Sequence, residues 1–146
     1  MTSVQLTKQW WENSPENVRI ALLSESYMDR LTTESAITSI GLPSTCLTVV
    51  CSFQEVIKKA TQNGNFKLIL IDIDQCNKDN PPEKLSKRLS ESLRARAVQT
   101  VPKTVLLTNQ LTSKPRTQDQ LKGVDFEVSK PVQGKDLRQM LNSFLV

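Results

Sequence analysis

Five polar side chains stand where apolar stretches of this chain end, and together they could bind a cation or an anion. Ser24 and Glu25 follow the first such stretch, Asp72 and Thr108 end two later ones, and Lys130 comes just after the last. A carboxylate at the end of an apolar strand is costly to bury unless a positive charge compensates it. The ammonium of Lys130 or a bound metal ion could do so for Asp72. The alternative is a purely structural Asp72–Lys130 ion pair.

Residue types that are missing or widely spaced exclude several kinds of site. The chain has no histidine, which removes Ser-His-Asp and Cys-His catalysis, His-ligated zinc, and any phosphohistidine carried by this chain itself. Its four glycines are too far apart for a G-x-G-x-x-G or Walker A loop. Cys46, Cys51 and Cys76 form no C-x-x-C pair, so we interpret them as reduced, mostly structural thiols.

The size and composition of the chain indicate one globular domain. It has 146 residues, 38% of them hydrophobic and 23% charged, with a formal net charge of +4. A chain of this length buries roughly two thirds of its unfolded surface without needing a disulfide or a metal. The first thirty residues contain no basic segment followed by an apolar run, and no stretch is long and apolar enough for a membrane span. We therefore expect a cytoplasmic domain that makes no membrane contact through this segment.

Hydrophobic patterning from Val18 onward predicts alternating strands and helices. Short apolar runs alternate with amphipathic stretches, which is typical of a parallel sheet covered on both faces. The predicted strands are 18–23, 46–51, 66–73, 103–108 and 124–128, and the predicted helices are 25–40, 53–63, 82–98 and 136–145. Because Pro115 interrupts 109–122, any helix there should be short. The sum is an α/β fold of the (βα)₅ type, doubly wound, in which ligands bind beyond the carboxyl ends of the strands.

The segment before the first predicted strand has a different character. Residues 1–17 are polar apart from Trp10 and Trp11, and Pro15 separates the pair from the first strand. We interpret 1–17 as an N-terminal tail, linker or short helix, and 18–146 as the domain. The tryptophan pair either anchors a partner or packs back on its own domain.

Three motifs resemble those of a known family. L-I-L-I-D-I at 68–73, V-L-L-T at 105–108 and G-V-D-F-E-V-S-K-P at 123–131 closely resemble the third-, fourth- and fifth-strand motifs of response-regulator receiver domains, the phosphoacceptor domains of two-component signalling. The resemblance spans about 18–146. It implies a flavodoxin-like (CheY-like) parallel sheet of five strands in the order 2-1-3-4-5.

The resemblance also implies a role for each motif residue. Asp72 would be the nucleophile that accepts a phosphoryl group from a partner's phosphohistidine. Thr108 and Lys130 would bind the phosphoryl oxygens, the lysine as a point charge. The implied partner is a histidine kinase or a histidine phosphotransfer protein.

A magnesium ion is implied as well, held weakly. In receivers, acids after the first strand hold Mg²⁺, which offsets the charges of carboxylate and phosphate. Carried over, the ligands would be Glu25, Asp72 and the backbone carbonyl of Asp74, with Ser24 as a weak fourth. The family usually has two acids where this chain has Ser24-Glu25, so we expect weaker Mg²⁺ binding than in the family.

Further departures concern access to the pocket and its read-out. Asn109 stands where the family commonly has a small residue, which narrows access. In the family, an aromatic residue of the fifth strand usually rotates inward after the threonine moves on phosphorylation, and this chain has Glu127 at that position. The neighbouring Phe126 should lie on the opposite face of the strand. The loop 74–82 is longer than usual and could cover the pocket or present a new surface.

Two functional hypotheses are consistent with this divergent pattern. The first is a degenerate receiver, or pseudo-receiver, that docks to a phosphorelay protein, as in some hybrid histidine kinases, and is not itself an enzyme. The second is a working receiver that is phosphorylated on Asp72 by a partner phosphohistidine with Mg²⁺. Intact-mass measurement after incubation with Mg²⁺ and a small phosphodonor separates them.

Two other classes are disfavoured by the sequence. A flavodoxin-like FMN protein needs closely spaced Ser/Thr and Gly after the first strand, and 24–29 has no glycine and two acids. A nucleic-acid role would rest on basic residues of the predicted helix 82–98. They alternate with leucines at helical spacing, which favours a solvated helix face; they are Lys84, Lys87, Arg88, Arg94 and Arg96.

Overall fold

The structure is a computed structural model that describes residues 10–13, 18–63, 66–76, 79–95, 102–109 and 122–145. Most of the stretch 109–122, for which the sequence predicts at most a short helix, lies outside the described residues, as does the end of the predicted helix 82–98. None of the helices in the described part is long and apolar enough to cross a bilayer.

The described elements follow the predicted alternation of strands and helices. The strands are β1 (Arg19–Leu23), β2 (Leu47–Val50), β3 (Phe66–Asp72), β4 (Lys103–Thr108) and β5 (Phe126–Ser129). The helices are α1 (Trp10–Asn13), α2 (Tyr27–Ser39), α3 (Phe53–Asn63), α4 (Pro82–Ala95) and α5 (Gly134–Asn142). Short 3₁₀ turns occupy Ser44–Cys46, Ile73–Gln75 and Ser143–Leu145.

The five strands form one parallel sheet in the order β2-β1-β3-β4-β5, which confirms the predicted fold. β3 is central and covered on both faces, with six of its seven residues buried. This explains why 66–73 is the most continuous apolar run in the sequence, since a strand covered on both faces has no polar side.

Helices cover both faces of the sheet and create two apolar cores. The first core lies under α2 and α5 and contains Ile20, Leu22, Ile37, Leu68, Leu70, Leu137 and Leu141. The second lies under α3 and α4 and contains Leu23, Val56, Ile69, Ile71, Leu85 and Leu89. Adjacent residues of β3 therefore contribute to opposite cores, as the two-residue period of a strand requires.

The predicted element ends either coincide with the observed ones, as for 53–63 and 103–108, or differ from them by at most three residues. β2 is shorter than 46–51 because Cys46 completes the preceding 3₁₀ turn and Cys51 lies exposed in a bend. β5 begins at Phe126 and not at 124, and α5 begins at Gly134 with a Gln133–Asp136 capping box. Helix α2 begins at Tyr27 because the hydroxyl of Ser26 accepts a hydrogen bond from the Asp29 N–H at 3.2 Å.

The tryptophan pair packs back on its own domain. Trp11 is 0% exposed in the first core, and its indole N–H donates to the carbonyl of Ile40 at 2.9 Å. The indole of Trp10 donates to the carbonyl of Leu141 at 3.0 Å and meets Phe144 edge-to-face. The short helix α1 thus joins the C-terminal ends of α2 and α5.

Candidate functional site

The carboxyl edge of the sheet brings the predicted site residues together. Asp72 ends β3, Thr108 ends β4, Ser24 follows β1, and Lys130 follows β5. In the parallel register Asp72 pairs with Leu107, one position before Thr108, so the two strands end side by side. Ser24, Asp72 and Thr108 are each less than 5% exposed, which makes this a buried polar pocket.

An ion pair between Asp72 and Lys130 stands at the centre of the pocket. The ammonium of Lys130 lies 2.8 Å from Oδ1 of Asp72, and the two side chains are 16% (Lys130) and 6% (Asp72) exposed. The same Oδ1 accepts the N–H of Asp74 at 3.2 Å, where the chain turns into the 3₁₀ helix after β3. Within the described part of the chain, Oδ2 of Asp72 accepts no hydrogen bond. Among the described residues, therefore, hydrogen bonds hold only the Oδ1 oxygen of this carboxylate.

Lys130 is held at both its backbone and its side chain. Its N–H donates to the carbonyl of Thr108 at 2.7 Å, and the peptide bond to Pro131 is cis. Burial alone would lower the pKa of Lys130, but the hydrogen bonds to Asp72 and Asp29 and the charges of both acids raise it above its ordinary value. Lys130 is thus stabilised as an ammonium ion.

Asp29 is a site residue that neither the sequence pattern nor the family resemblance singles out. Its Oδ2 lies 3.2 Å from Nζ of Lys130, with side chains 13% (Asp29) and 16% (Lys130) exposed, and it accepts the hydroxyl of Ser24 at 2.9 Å. The hydroxyl of Ser24 in turn accepts the N–H of Ser26 at 3.0 Å. Lys130 therefore bridges two carboxylates, one from β3 and one from α2.

Helical phase explains why Asp29 reaches the pocket. The buried residues of α2 are Thr33, Ala36 and Ile37, and stepping back one turn from Thr33 leads to Asp29 on the same face. The sequence alone does not reveal this phase, because Met28 and Leu31 give the helix a second apolar side, which the structure shows to be exposed. The resemblance points instead to Glu25, which stands two residues after the end of β1, where the family has an acid.

Glu25 lies differently from what a strong metal site would need. Glu25 is exposed, and so is the side chain of Asp74, whose N–H caps Asp72. Among the described residues, no group of three or more metal-binding side chains could hold an ion. The two remaining carboxylates, Asp29 and Asp72, already share the ammonium of Lys130. In this arrangement the residues do not fit a magnesium site, because Mg²⁺ needs several oxygen ligands in octahedral geometry.

The hydroxyl of Thr108 has its hydrogen-bond acceptor on the neighbouring strand β5. Its Oγ1 donates a long hydrogen bond of 3.5 Å to the carbonyl of Val128. This is the limit of hydrogen-bonding distance, so the hydroxyl is only weakly held. Asn109, which follows Thr108, is half-buried.

Two neighbouring residues of β5 lie on opposite faces, as predicted. Phe126 packs against the first core with Val128, whereas Glu127 is exposed. Glu127, three residues before Lys130, therefore presents an exposed carboxylate. It pairs with Leu106 of β4, so the two side chains lie on the same face of the sheet.

A thiol lies near Asp72, just after the 3₁₀ turn that follows β3. Cys76 is half-buried against the second core, and burial, with a smaller contribution from the charge of Asp72, raises its pKa to about 11. Parts of the loop 74–82 on either side of residues 77 and 78 are described, and Asp79 within it is exposed.

The basic residues of α4 have the arrangement of an amphipathic helix. Its inward positions are Leu85, Leu89 and Leu93, all buried, while Lys84, Lys87 and Arg94 are exposed. Arg96 lies outside the described residues. The leucine spacing thus reports core packing, and the basic residues form the solvated face.

Comparison with known proteins identifies the fold but no sequence family. No family model matches the chain, and no curated protein matches it. Solved structures do match it. With a CheY-like response regulator receiver domain from Methylobacillus flagellatus, the TM-score is 0.60 at 19% identity, covering 86% of this chain and 98% of that chain.

Two further structures give the same result. A two-component response regulator from Legionella pneumophila matches with a TM-score of 0.60 at 16% identity, over 88% of this chain and 98% of that one. A chain of the co-crystal structure of the Saccharomyces cerevisiae histidine phosphotransfer protein Ypd1 with the receiver domain of Ssk1 matches with a TM-score of 0.59 at 15% identity. The match covers 82% of this chain and 83% of that one. The chain therefore has the CheY-like receiver fold.

Proposed function

We propose that this chain, folded as a CheY-like receiver, is a degenerate receiver (pseudo-receiver) that acts in two-component or phosphorelay signalling by docking to a protein. Its partner is a histidine kinase or a histidine phosphotransfer protein. The domain itself performs no enzymatic reaction and works in the cytoplasm, alone or as part of a larger protein such as a hybrid histidine kinase.

The observation that carries this proposal is the charge arrangement of the pocket. Phosphorylation of a carboxylate brings negative charges together, and receivers offset them with a divalent cation. Here Ser24 is neutral and Glu25 is exposed. Among the described residues, the carboxylates in contact with Lys130 are Asp29 and Asp72. A pocket with this composition favours recognition over phosphoryl transfer.

An apolar surface beside the pocket supports docking. Tyr27, Met28 and Leu31 of α2 are 70%, 65% and 40% exposed. Leu31 stands three positions after Met28 and four after Tyr27, so the three side chains adjoin on one side of the helix. Clustered exposed apolar groups are typical of protein interaction surfaces, and this one begins in the same turn that carries Asp29.

One observation favours the second candidate, a working phosphoacceptor. Oδ1 of Asp72 is held by Lys130 and by the Asp74 N–H, while Oδ2 has no hydrogen bond in the described part of the chain. A carboxylate oxygen that accepts no hydrogen bond from the described residues, on a carboxylate that also contacts an ammonium, is chemically able to accept a phosphoryl group. In this alternative, Asp72 takes it from a partner phosphohistidine, and Thr108 and Lys130 bind its oxygens.

The two candidates are separated by intact-mass spectrometry after incubation with Mg²⁺ and acetyl phosphate. We expect no mass increase in the wild type. An added phosphoryl group that is absent from Asp72→Asn but present in Asp74→Asn, the matched neighbouring acid, would establish the phosphoacceptor and refute the degenerate receiver.

Docking is tested by calorimetry with a purified histidine phosphotransfer protein from the same organism. We expect binding that is unchanged by Asp72→Asn and by acetyl phosphate, and that weakens at least about tenfold, or about 1.4 kcal/mol, in Met28→Ser. Thr38→Ser, an exposed position at the other end of α2, is the control. Binding that needs an intact Asp72 would contradict docking without phosphorylation.

A further inference from the structure

A continuous chain of hydrogen bonds runs across the pocket through residues from several elements. The N–H of Ser26 donates to the hydroxyl of Ser24, which donates to Asp29. Lys130 then donates to both Asp29 and Asp72, at 3.2 and 2.8 Å. Each group in this series of hydrogen bonds acts as its chemistry allows, because a carboxylate can only accept hydrogen bonds and an ammonium can only donate them.

Ser24 has a specific part in this chain. It stands where the resemblance implies an acid, and a serine there looks like a simple loss of charge. The residue is 3% exposed, and its hydroxyl instead fixes the carboxylate of Asp29, which enters the pocket from α2. The negative charge missing from the end of β1 is therefore supplied five positions later along the chain.

The location of that carboxylate decides which cation the pocket can hold. Asp29 and Asp72 contact the same ammonium, so a divalent ion that used either carboxylate would have to displace Lys130 or tolerate its repulsion. Mg²⁺ also gives up its water ligands reluctantly. Mg²⁺ would have to lose water ligands each time it bound. The ammonium of Lys130 is already buried between the two acids and has no such cost of dehydration.

We propose that Asp29 is a positioning residue. Held by Ser24, it replaces a strand-end carboxylate and keeps the ammonium of Lys130 between itself and Asp72, so that the pocket carries its own cation and binds divalent metal poorly. This role concerns the same pocket as the proposed function. It rests on that function only in taking the pocket as the site of a degenerate receiver.

The first test follows the ammonium of Lys130 by ¹⁵N NMR on the full chain. An ammonium bound by two carboxylates exchanges its protons with water slowly, and we expect exchange at least about tenfold faster in Asp29→Asn, which removes one charged acceptor. Glu34→Gln, an equal charge change on the same helix in the Arg30 ion pair, should leave the exchange unchanged. Ser24→Ala keeps Asp29 but removes the hydroxyl that holds its carboxylate. It should also make the ammonium exchange faster, and it replaces Asp29→Asn in the test if that variant fails to fold.

The second test uses Mn²⁺ as the probe and measures line broadening of the Asp74 and Thr108 amides. The double variant Ser24→Asp with Asp29→Ser keeps the net charge and moves the carboxylate back to the end of β1. We expect this variant to bind Mn²⁺ at least about tenfold more tightly than the wild type. The reason is that its carboxylate stands at the end of β1, where it is no longer held by the ammonium of Lys130 and is available to the metal ion.

Two results would overturn the inference. One is an ammonium exchange rate that neither Asp29→Asn nor Ser24→Ala alters, and the other is wild-type Mn²⁺ binding as tight as that of the double variant. Failure of the proposed function has a different signature. Phosphorylation of Asp72 by acetyl phosphate in the presence of a chelator would refute the degenerate receiver while leaving the role of Asp29 intact.

Discussion

Asp29 and Lys130 are 101 positions apart in the chain, and their side chains meet with 3.2 Å between Oδ2 and Nζ. The contact joins the first turn of α2 to the loop after β5, and both side chains are largely buried. Lys130 also reaches Asp72 at the end of β3. Three separate parts of the fold thus depend on one ammonium, so substitutions here should affect stability as well as the site.

Replacement of Lys130 by methionine should be strongly destabilising. It leaves two largely buried carboxylates without their cation, and breaking a buried ion pair by removing one partner costs about 3 kcal/mol or more. Urea denaturation at neutral pH, followed by circular dichroism, measures the loss. Lys122→Met is the matched control: it removes an exposed pair with Glu83, which solvent screens, and should cost less than about 1 kcal/mol. Equal losses in the two variants would contradict the bridging role.

The ion pairs of Lys130 should also produce a stability change at alkaline pH. Hydrogen bonds to Asp72 and Asp29 outweigh burial and raise the pKa of Lys130 above 10.5. A lysine whose pKa is higher in the folded state contributes its full stabilisation below the unfolded value and loses it as pH rises through the folded value. The free energy of unfolding of the wild type should therefore fall more steeply above pH 10.5 than that of Lys130→Met. Parallel urea titrations of the two proteins check this, and parallel slopes would refute it.

The three cysteines should differ in reactivity. The pKa of Cys76 is raised to about 11 by burial and by Asp72, so only about one molecule in a thousand carries the thiolate at pH 8. Cys51 is exposed. We expect iodoacetamide to modify Cys51 at least about tenfold faster than Cys76, as read from peptide masses after timed labelling.

Asp72→Asn provides the internal control for this labelling. Because it removes a negative charge beside the thiol, Cys76 should react faster in the variant while Cys51 keeps its rate. If Cys76 matched Cys51 in the wild type, the described burial of Cys76 would be wrong.

The N-terminal helix α1 should contribute to the stability of the fold. Trp11 is fully buried in the first core, and truncating a buried tryptophan costs about 3–5 kcal/mol. Trp11→Ala should therefore shift the urea midpoint far more than Trp10→Ala, since Trp10 is only half-buried. Trp11→Phe keeps most of the apolar contact and leaves the carbonyl of Ile40 without its donor, at about 1 kcal/mol. A Trp11→Ala protein as stable as the wild type would contradict this packing.

The sequence determined the sheet and four members of its polar edge, which are Ser24, Asp72, Thr108 and Lys130. Strands such as 66–73 and 103–108 are continuous apolar runs because both of their faces are covered, and that pattern can be read locally. Since parallel strands end at one edge, Asp72, Thr108 and Lys130 could be assigned to one place without coordinates. The roles of these residues in phosphoryl transfer, and the domain boundary at residue 18, stay predictions.

Only the tertiary structure decided which carboxylate accompanies Asp72. Glu25 and Asp29 are both acids near the end of β1, and local patterning offered no reason to prefer the second. Their positions depend on the rotation of α2 about its axis, which is fixed by Ile37 and its neighbours as they pack on the sheet. The burial of Trp11 between the ends of α2 and α5 was undecided for the same reason. Side-chain direction on a helix is set by the surface that the helix covers, and that surface is built from residues far away in the chain.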